Sequence, residues 1–379
     1  MGKEGIPTGP DSKVYPSGTY NERIPHPTLE LKNTVVWENT ALKAPFNFEV
    51  GTQSPLGVML DPSIDPPVDQ SALSLRVRER GHGRSADVGG VYFKDTQGRL
   101  YRDIDVKGTG AVSNNTGKSV SWGRLMTTNG EVMYGLMSKE DALHDSEMAE
   151  VLTALNIRTH RSLAIIELQE LVRFNLLTRK GEVESVEQLR REKSLIDDFV
   201  PVVQVRAFGT KSRLQDMESV TSFQEFEDAL DLVRLETNGE VTDIESYMQW
   251  FSTTLAQNIG RMHANGYLHG YLTPHNITLD CRVVDFDSVT KRPDEDKDPV
   301  IPEYTSFEEE LNAPPPASEF WDAASKDFHK AVETLQRHLQ SIAKHYPEQF
   351  ENFNDDSFII TFEKMYEAEN PKALMHLRW

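Results

Sequence analysis

Two oxygen-bearing side chains, Asn276 and Asp285, stand nine residues apart in an arrangement that suits a divalent cation. Asn276 closes the short polar run His269-Gly270-Tyr271-Leu272-Thr273-Pro274-His275, and Asp285 closes an apolar run in Val283-Val284-Asp285-Phe286-Asp287. The amide oxygen of Asn and the carboxylate of Asp are hard ligands. They suit Mg2+ or Mn2+ when the cation's remaining positions go to water and phosphate oxygens. A polar loop ending in Asn, followed by a strand ending in Asp, therefore points to a metal held against the phosphates of a nucleotide, with ATP the expected one.

Such a loop needs a rigid support, and the sequence before it supplies one. Apolar residues fall at Ile244, Met248, Phe251, Leu255, Ile259 and Met262, the spacing of one helix face. Thr242 and Glu245 read as a capping box at its start, and Asn265-Gly266 as its end. A second helix carrying Phe328, Val332, Leu335, Leu339 and Ile342 follows the Pro314-Pro315-Pro316 break. The second half of the chain is thus expected to be helical.

The first half reads differently. Leu73, Leu75 and Val77 alternate with polar residues, the turn Gly81-His82-Gly83-Arg84 follows, and further strands are expected around Val91–Phe93 and Leu100–Val106. On the last of these, Leu100, Arg102, Ile104 and Val106 share one face, and Asp103, Asp105 and Lys107 share the other. A helix is expected from Ser138, with Asp141 as a capping partner, Glu140 in its first turn, and Leu143, Val151, Leu152 and Leu155 toward a core. Residues 161–168 and 201–208 read as two more strands flanking a charged helical insertion near Val183–Lys193. Residues 1–30 and 54–68, rich in Pro and Gly, are expected to wrap or tether rather than pack.

Composition narrows the classes further. Asp and Glu number 60 against 40 Lys and Arg, a net charge of −20. That sign disfavours nucleic acid as a partner. The single cysteine, Cys281, excludes an intramolecular disulfide and a cysteine zinc cluster. No apolar run reaches membrane-spanning length and the mean hydropathy is −0.51, so no membrane partner is expected. No secretory signal is visible at the N-terminus, and a cytoplasmic location is the expectation. Thr116-Gly117-Lys118-Ser119 imitates the end of a P-loop, but Val112 stands where the first glycine is required.

A strand-rich half bearing a glycine turn and a lysine, then a helical half bearing Asn and Asp, resembles the order of parts in protein-kinase-like folds. That resemblance implies an α+β, bilobal architecture: an extension over 1–70, a β-rich N-lobe over 71–209 and a helical C-lobe over 210–379. It implies that Lys107 neutralises phosphate oxygens in the cleft, with Glu140 as its ion-pair partner.

A narrower likeness follows. Asp105-Val106-Lys107-Gly108-Thr109-Gly110, the turn Gly81-His82-Gly83-Arg84, and Leu155-Asn156-Ile157-Arg158-Thr159-His160-Arg161-Ser162-Leu163 are similar to motifs of the selenoprotein O family. Those are kinase-like proteins that transfer AMP to protein hydroxyls. Asn129-Gly130, eleven residues before Glu140, resembles the family's Asp-Gly, and Arg206 and Arg213, seven apart, resemble its two phosphate-binding arginines.

The likeness implies ATP bound flipped, with Gly81, Gly83, Arg84, Lys107, Asn129, Gly130, Glu140, Arg206 and Arg213 around the nucleotide. Asn276 and Asp285 would hold the metal, and pyrophosphate would be released. The substrates would be Ser, Thr or Tyr hydroxyls of proteins, this chain's own included. The residue before the metal Asn is Asp in that family, its general base, and His275 here. An imidazole accepts a proton near neutral pH, which keeps base catalysis open. A nucleotide-binding protein without transfer activity, and a kinase-type phosphotransferase, are the alternatives.

Overall fold

Eight of the strand-forming runs pair into one antiparallel sheet. The structure, a computed structural model, describes residues 24–45, 47–61, 63, 74–77, 85–112, 119–120, 135–175, 177–218, 222–292 and 319–372. Gly81, Gly83, Arg84, Asn129 and Gly130 lie outside these residues. The chain divides into two units, residues 1–146 with 161–209, and residues 147–160 with 210–379. The first is rich in strands and the second in helices, an α+β chain.

The strands of the first unit are β1 (Ile24–Glu30), β2 (Asn33–Glu38), β3 (Val58–Leu60), β4 (Ser74–Val77), β5 (Ser85–Lys94), β6 (Leu100–Lys107), β7 (Ala111–Val112), β8 (Ser119–Val120), β9 (Arg161–Leu168), β10 (Glu170–Asn175), β11 (Lys180–Ser185) and β12 (Val202–Phe208). Eight of them form a sheet in the order β2-β9-β12-β6-β5-β4-β1-β3. The expectation that 1–30 and 54–68 stay outside the packed fold does not hold for β1 and β3. Both join this sheet, and Val58, Met59 and Leu60 are buried. Three adjacent apolar residues can pack without alternating when both faces of a strand are covered.

The same covering changes the reading of β6. Besides Ile104 and Val106, its opposite face is buried too, with Asp105 fully enclosed and Lys107 7% exposed. The charged insertion is helical only over Val186–Arg191, because β11 takes residues up to Ser185 and the Ser185 hydroxyl then caps the helix. After Lys107 the chain turns at Gly108 with φ +99°, where a Cβ would lie 2.4 Å from the Val202 carbonyl oxygen. Only glycine relieves both the backbone conformation and the approach to β12.

The helices are α1 (Lys139–Ala154), α2 (Val186–Arg191), α3 (Ser222–Glu236), α4 (Ile244–Ala264), α5 (Phe320–His345) and α6 (Asp356–Glu369). The Ser138 hydroxyl accepts the Asp141 amide at 3.0 Å, as the capping pattern implied. Of the residues expected to face a core from α1, Leu152 is buried and Leu143 and Leu155 pack against core clusters, while Val151 does not. Val151 is 39% exposed, whereas Ala142, Asp145, Ser146, Ala149, Leu152 and Thr153 are buried.

In the second unit, α4 buries every residue of the expected apolar ladder. Its cap is Asp243, one residue after Thr242, in a reciprocal box with Ser246. Asn265 ends the helix, and Gly266 follows at φ +77°. The ladder packs in one core with Leu335, Leu339 and Ile342 of α5 and Phe358, Phe362 and Tyr366 of α6. Among the described residues, no helix is long and apolar enough to cross a membrane.

His338 of α5 sits inside this core. The Tyr247 hydroxyl donates to the Leu279 carbonyl at 2.6 Å, so the His338 Nε2–H at 3.2 Å must donate to that hydroxyl. Burial pushes the imidazole pKa down to about 3. The unfolded chain takes up this proton below about pH 6.5 while the folded chain does not. Stability should therefore fall by about 1.4 kcal/mol per pH unit from this group as pH drops from 6.5 toward its folded value. Urea unfolding across that window should show the slope, and His338→Met should flatten it. A second outcome concerns the turn: Gly108→Ala should destabilise the protein by roughly 2–4 kcal/mol, read by the same denaturation.

Candidate functional site

In the second unit the loop begins at the two-stranded ribbon of β13 (Tyr267–Leu268) and β14 (Thr290–Lys291). The Asp327 carboxylate of α5 then accepts the amides of His269 (2.8 Å) and Gly270 (3.1 Å). His269 is fully buried and its Nε2 donates to the Val284 carbonyl at 3.1 Å, while the Ser288 hydroxyl donates to the His269 carbonyl. One imidazole therefore holds the start of the loop to the end of the segment that carries Asp285.

That segment is a tight hairpin. Ile277 bridges Val283, the Val284 amide donates to the Asn276 carbonyl at 3.0 Å, and the turn between them passes through Cys281 at φ +59°. Around the turn the Thr278 hydroxyl and the Arg282 Nε donate to the two oxygens of buried Asp280, and Arg282 Nη1 donates to the Thr159 carbonyl. Arg158 pairs with Glu236, and its backbone amide donates to Asn258 of α4. These buried charges are matched one against another and hydrogen-bonded, the condition under which burying them is tolerable.

The hairpin brings three of the sequence-derived candidates onto one backbone assembly. Asn276 and Asp285 flank its open end, and Arg213 bridges Thr278 beside it, with Leu214 donating to the Ile277 carbonyl and Leu279 to the Ser212 carbonyl. The Asn276 Nδ2 donates to the Tyr271 carbonyl at 3.0 Å, which turns its Oδ1 the other way. Asp285 is half-buried in the left-handed region at φ +61° and ψ +79°, an uncommon place for a residue other than glycine. Phe286 after it is buried against His160, rings 5.0 Å apart, and edge-on to His269. His275 and Asp287 are exposed.

Two oxygen ligands on adjacent backbone, one neutral and one charged, fit Mg2+ or Mn2+, which would draw its other ligands from water and phosphate. The fixed direction of the Asn276 amide is the observation that supports this fit. Among the described residues no group of three His, Cys, Asp or Glu side chains gathers to hold a metal by itself.

In the first unit Lys107 ends β6 with Gln204 opposite it on β12 and Ser85 opposite it on β5. Arg206, two residues on, faces Asp105 and binds it through Nε (3.0 Å) and Nη2 (2.9 Å), both side chains being buried. An arginine expected to bind phosphate thus makes a bidentate bond to a carboxylate of the neighbouring strand. Glu140 is exposed in the first turn of α1, while the ion pair of that turn joins Lys139 to Glu167 at 3.0 Å. The expected pairing of Glu140 with Lys107 sets an exposed carboxylate against an enclosed ammonium.

Asp327 was not among the candidates, though the sequence carried a signal. It is the one carboxylate on the buried, mostly apolar stripe of α5 that includes Ala324, Phe328, Ala331 and Leu335. Burial alone would raise its carboxyl pKa, but His263 at 3.6 Å, His269 and the Gly270 amide outweigh that and hold it below the usual carboxylate range.

No protein-family model matches the sequence. No curated protein matches it. Among solved structures, the kinase domain of a rhoptry antigen from Toxoplasma gondii is similar at 10% identity, covering 74% of this chain and 69% of that one, with a TM-score of 0.31. WaaP in complex with acyl carrier protein is similar at 11% identity, covering 76% and 87%, with a TM-score of 0.24. Likenesses of this size establish neither fold nor function, so the site rests on the chain's own geometry.

Removing the Asp327 carboxylate strands buried backbone donors. Asp327→Ala should cost roughly 2–4 kcal/mol in urea unfolding, and Asp327→Asn, which keeps one acceptor, should cost less. Because the folded pKa is lowered, the carboxylate's contribution is complete above the unfolded value near 4 and is lost as pH falls through the folded one. The stability gap between wild type and Asp327→Asn should therefore narrow below about pH 4.

Proposed function

We propose that the chain binds ATP with Mg2+ or Mn2+ and transfers AMP from it to hydroxyl groups of proteins. The observation that carries the nucleotide part is the hairpin bearing Asn276 and Asp285 at its open end, with the Asn276 amide held by its bond to the Tyr271 carbonyl and the hairpin backbone closed between Val284 and Asn276. The metal would supply charge neutralisation on the phosphates. Arg213, beside the hairpin, and Lys107 of the first unit are the cationic side chains proposed to bind phosphate oxygens.

The AMP part rests on the likeness to the selenoprotein O family. A substrate hydroxyl oxygen would bond to the α-phosphorus, the bond from that phosphorus to the bridging oxygen would break, and pyrophosphate would leave. His275, exposed next to Asn276, is the proposed acceptor of the hydroxyl proton.

One observation favours a second reading, transfer of the γ-phosphoryl group. Arg206 binds Asp105 through two nitrogens, so one of the arginines that the flipped nucleotide would call on is already engaged.

The two readings separate on one label. Incubation with ATP carrying the label on its α-phosphate should modify the protein itself or a partner and release pyrophosphate; transfer from γ-labelled ATP instead would overturn the AMP reading in favour of a kinase. Asp285→Asn should abolish metal-dependent ATP binding by calorimetry while leaving the thermal midpoint near that of the wild type, since Asn also tolerates the left-handed backbone. ATP binding without transfer of either label, restored to transfer by His275→Asp, would identify a nucleotide-binding protein that lacks its base.

A further inference from the structure

We infer that Asp145, not Glu140, is the acidic partner that positions Lys107. The inference starts from the register of two strands. Lys107 and Gln204 are direct neighbours across β6 and β12, and directly opposed side chains on one face have Cβ atoms about 4.5–5.5 Å apart. The Gln204 Nε2 in turn donates to Asp145 Oδ2 at 2.8 Å, to the Ser162 hydroxyl at 2.8 Å and to the Ser146 hydroxyl at 3.0 Å. Asp145 therefore reaches the side chain that stands next to Lys107, from the helix that packs over this face.

Burial points the same way. Asp145 is 1% exposed and Gln204 fully buried, whereas Glu140 is exposed. A buried carboxylate is tolerable only when hydrogen-bonded and balanced by a cation. Three acceptors compete for the two hydrogens of the Gln204 amide, so that amide cannot satisfy the Asp145 charge by itself. Gln204 Oε1, enclosed and without a hydrogen-bond partner, leaves one more acceptor for a donor such as an ammonium.

Two other carboxylates on this face lie near Lys107 in register, Asp105 and Asp87. Asp105 on β6 accepts from Nε and Nη2 of Arg206, and Asp87 on β5 lies opposite Asp105, two residues along from Ser85, which faces Lys107; Asp87 serves as a control below. Asp145, which shares the Gln204 amide next to Lys107, is the acid proposed to aim the Lys107 ammonium.

The nucleotide reading enters only one of the two measurements that test this. In the full chain labelled with 15N-lysine, the Lys107 side-chain nitrogen, assigned with Lys107→Arg, should shift in Asp145→Asn and stay in place in Glu140→Gln and Asp87→Asn. A shift in either control as large as that in Asp145→Asn, or no shift in Asp145→Asn, overturns the inference whether or not ATP binds.

Removing one charge of a buried pair is costly and removing both is less so, so Lys107→Gln/Asp145→Asn should regain most of the thermal midpoint that Asp145→Asn loses. Additive losses overturn the pair, and this arm decides even where Asp145→Asn folds poorly. The second measurement is affinity for ATP with Mg2+, which Asp145→Asn should weaken at least about tenfold, near 1.4 kcal/mol, and Glu140→Gln should leave unaltered. Equal affinities in the two variants overturn the positioning role. Absence of ATP binding in the wild type would instead remove the nucleotide reading and leave the nitrogen shift and the double variant to decide.

Discussion

The second unit depends on a carboxylate that is buried and yet charged. Asp327 lies on α5, within the apolar stripe that makes that helix part of the core, and it accepts the first two amides of the loop that leads to Asn276. A loop's backbone donors must be satisfied wherever the loop is enclosed. Satisfying them from a helix, rather than from solvent, fixes where the loop starts. From there the frame is continuous: His269 to the Val284 carbonyl, Val284 back to the Asn276 carbonyl, and Asn276 to the Tyr271 carbonyl. The direction of the Asn276 oxygen is the end of a chain of hydrogen bonds that begins in the core.

The hairpin that carries Asp285 has a second support. Its turn encloses Asp280 and Arg282, with Arg158 and Glu236 around them, and its left-handed Cys281 is fully buried. Burial also raises the Cys281 thiol pKa well above its ordinary value, so it behaves as an apolar packing group. Such a matched set adds little net stability over an apolar core, but losing any one member leaves a charge without its partner. What it supplies is a single register. A slip of one residue would exchange the faces of every side chain in the hairpin, Asn276 and Asp285 among them.

Much of this was legible in the sequence. The ladder from Ile244 to Met262, its end at Asn265-Gly266, the helix through Leu335 and Leu339, and the strands ending at Lys107 and Phe208 all follow from residue type and period. What was not legible depends on partners distant in the chain. β1 and β3 are strands because β1 pairs with β3 on one side and β4 on the other, although Pro25 and Pro27 argue against a strand locally. Helices α3 and α6 place Phe226, Leu230 and Val233, and Phe358, Phe362 and Tyr366, in the same core as α4 and α5. Glu140 and Asp145 stand on different faces of α1, the first exposed and the second buried. Five helical residues turn about 140° between positions 140 and 145. A count that lands on Glu140 thus selects an exposed face of the helix, while Ala142, Asp145 and Ser146 form its buried stripe.

Arg206 carries the same lesson into the chemistry. Its guanidinium fork fits a carboxylate as well as a phosphate, so residue type and spacing alone cannot tell the two uses apart. In the sheet it meets Asp105 directly across the strands, enclosed, with its plane also near the Phe208 ring. Breaking such a pair would leave Asp105 charged and buried, so loss of Arg206 would disturb β6 and β12, and with them Lys107, before any effect on a ligand could be read. Arg213 is different. It is half-buried, lies next to the hairpin rather than inside the sheet, and its backbone amide is already satisfied by Asp216. Of the two arginines, Arg213 is the one at which the proposed role in phosphate binding can be tested apart from the fold.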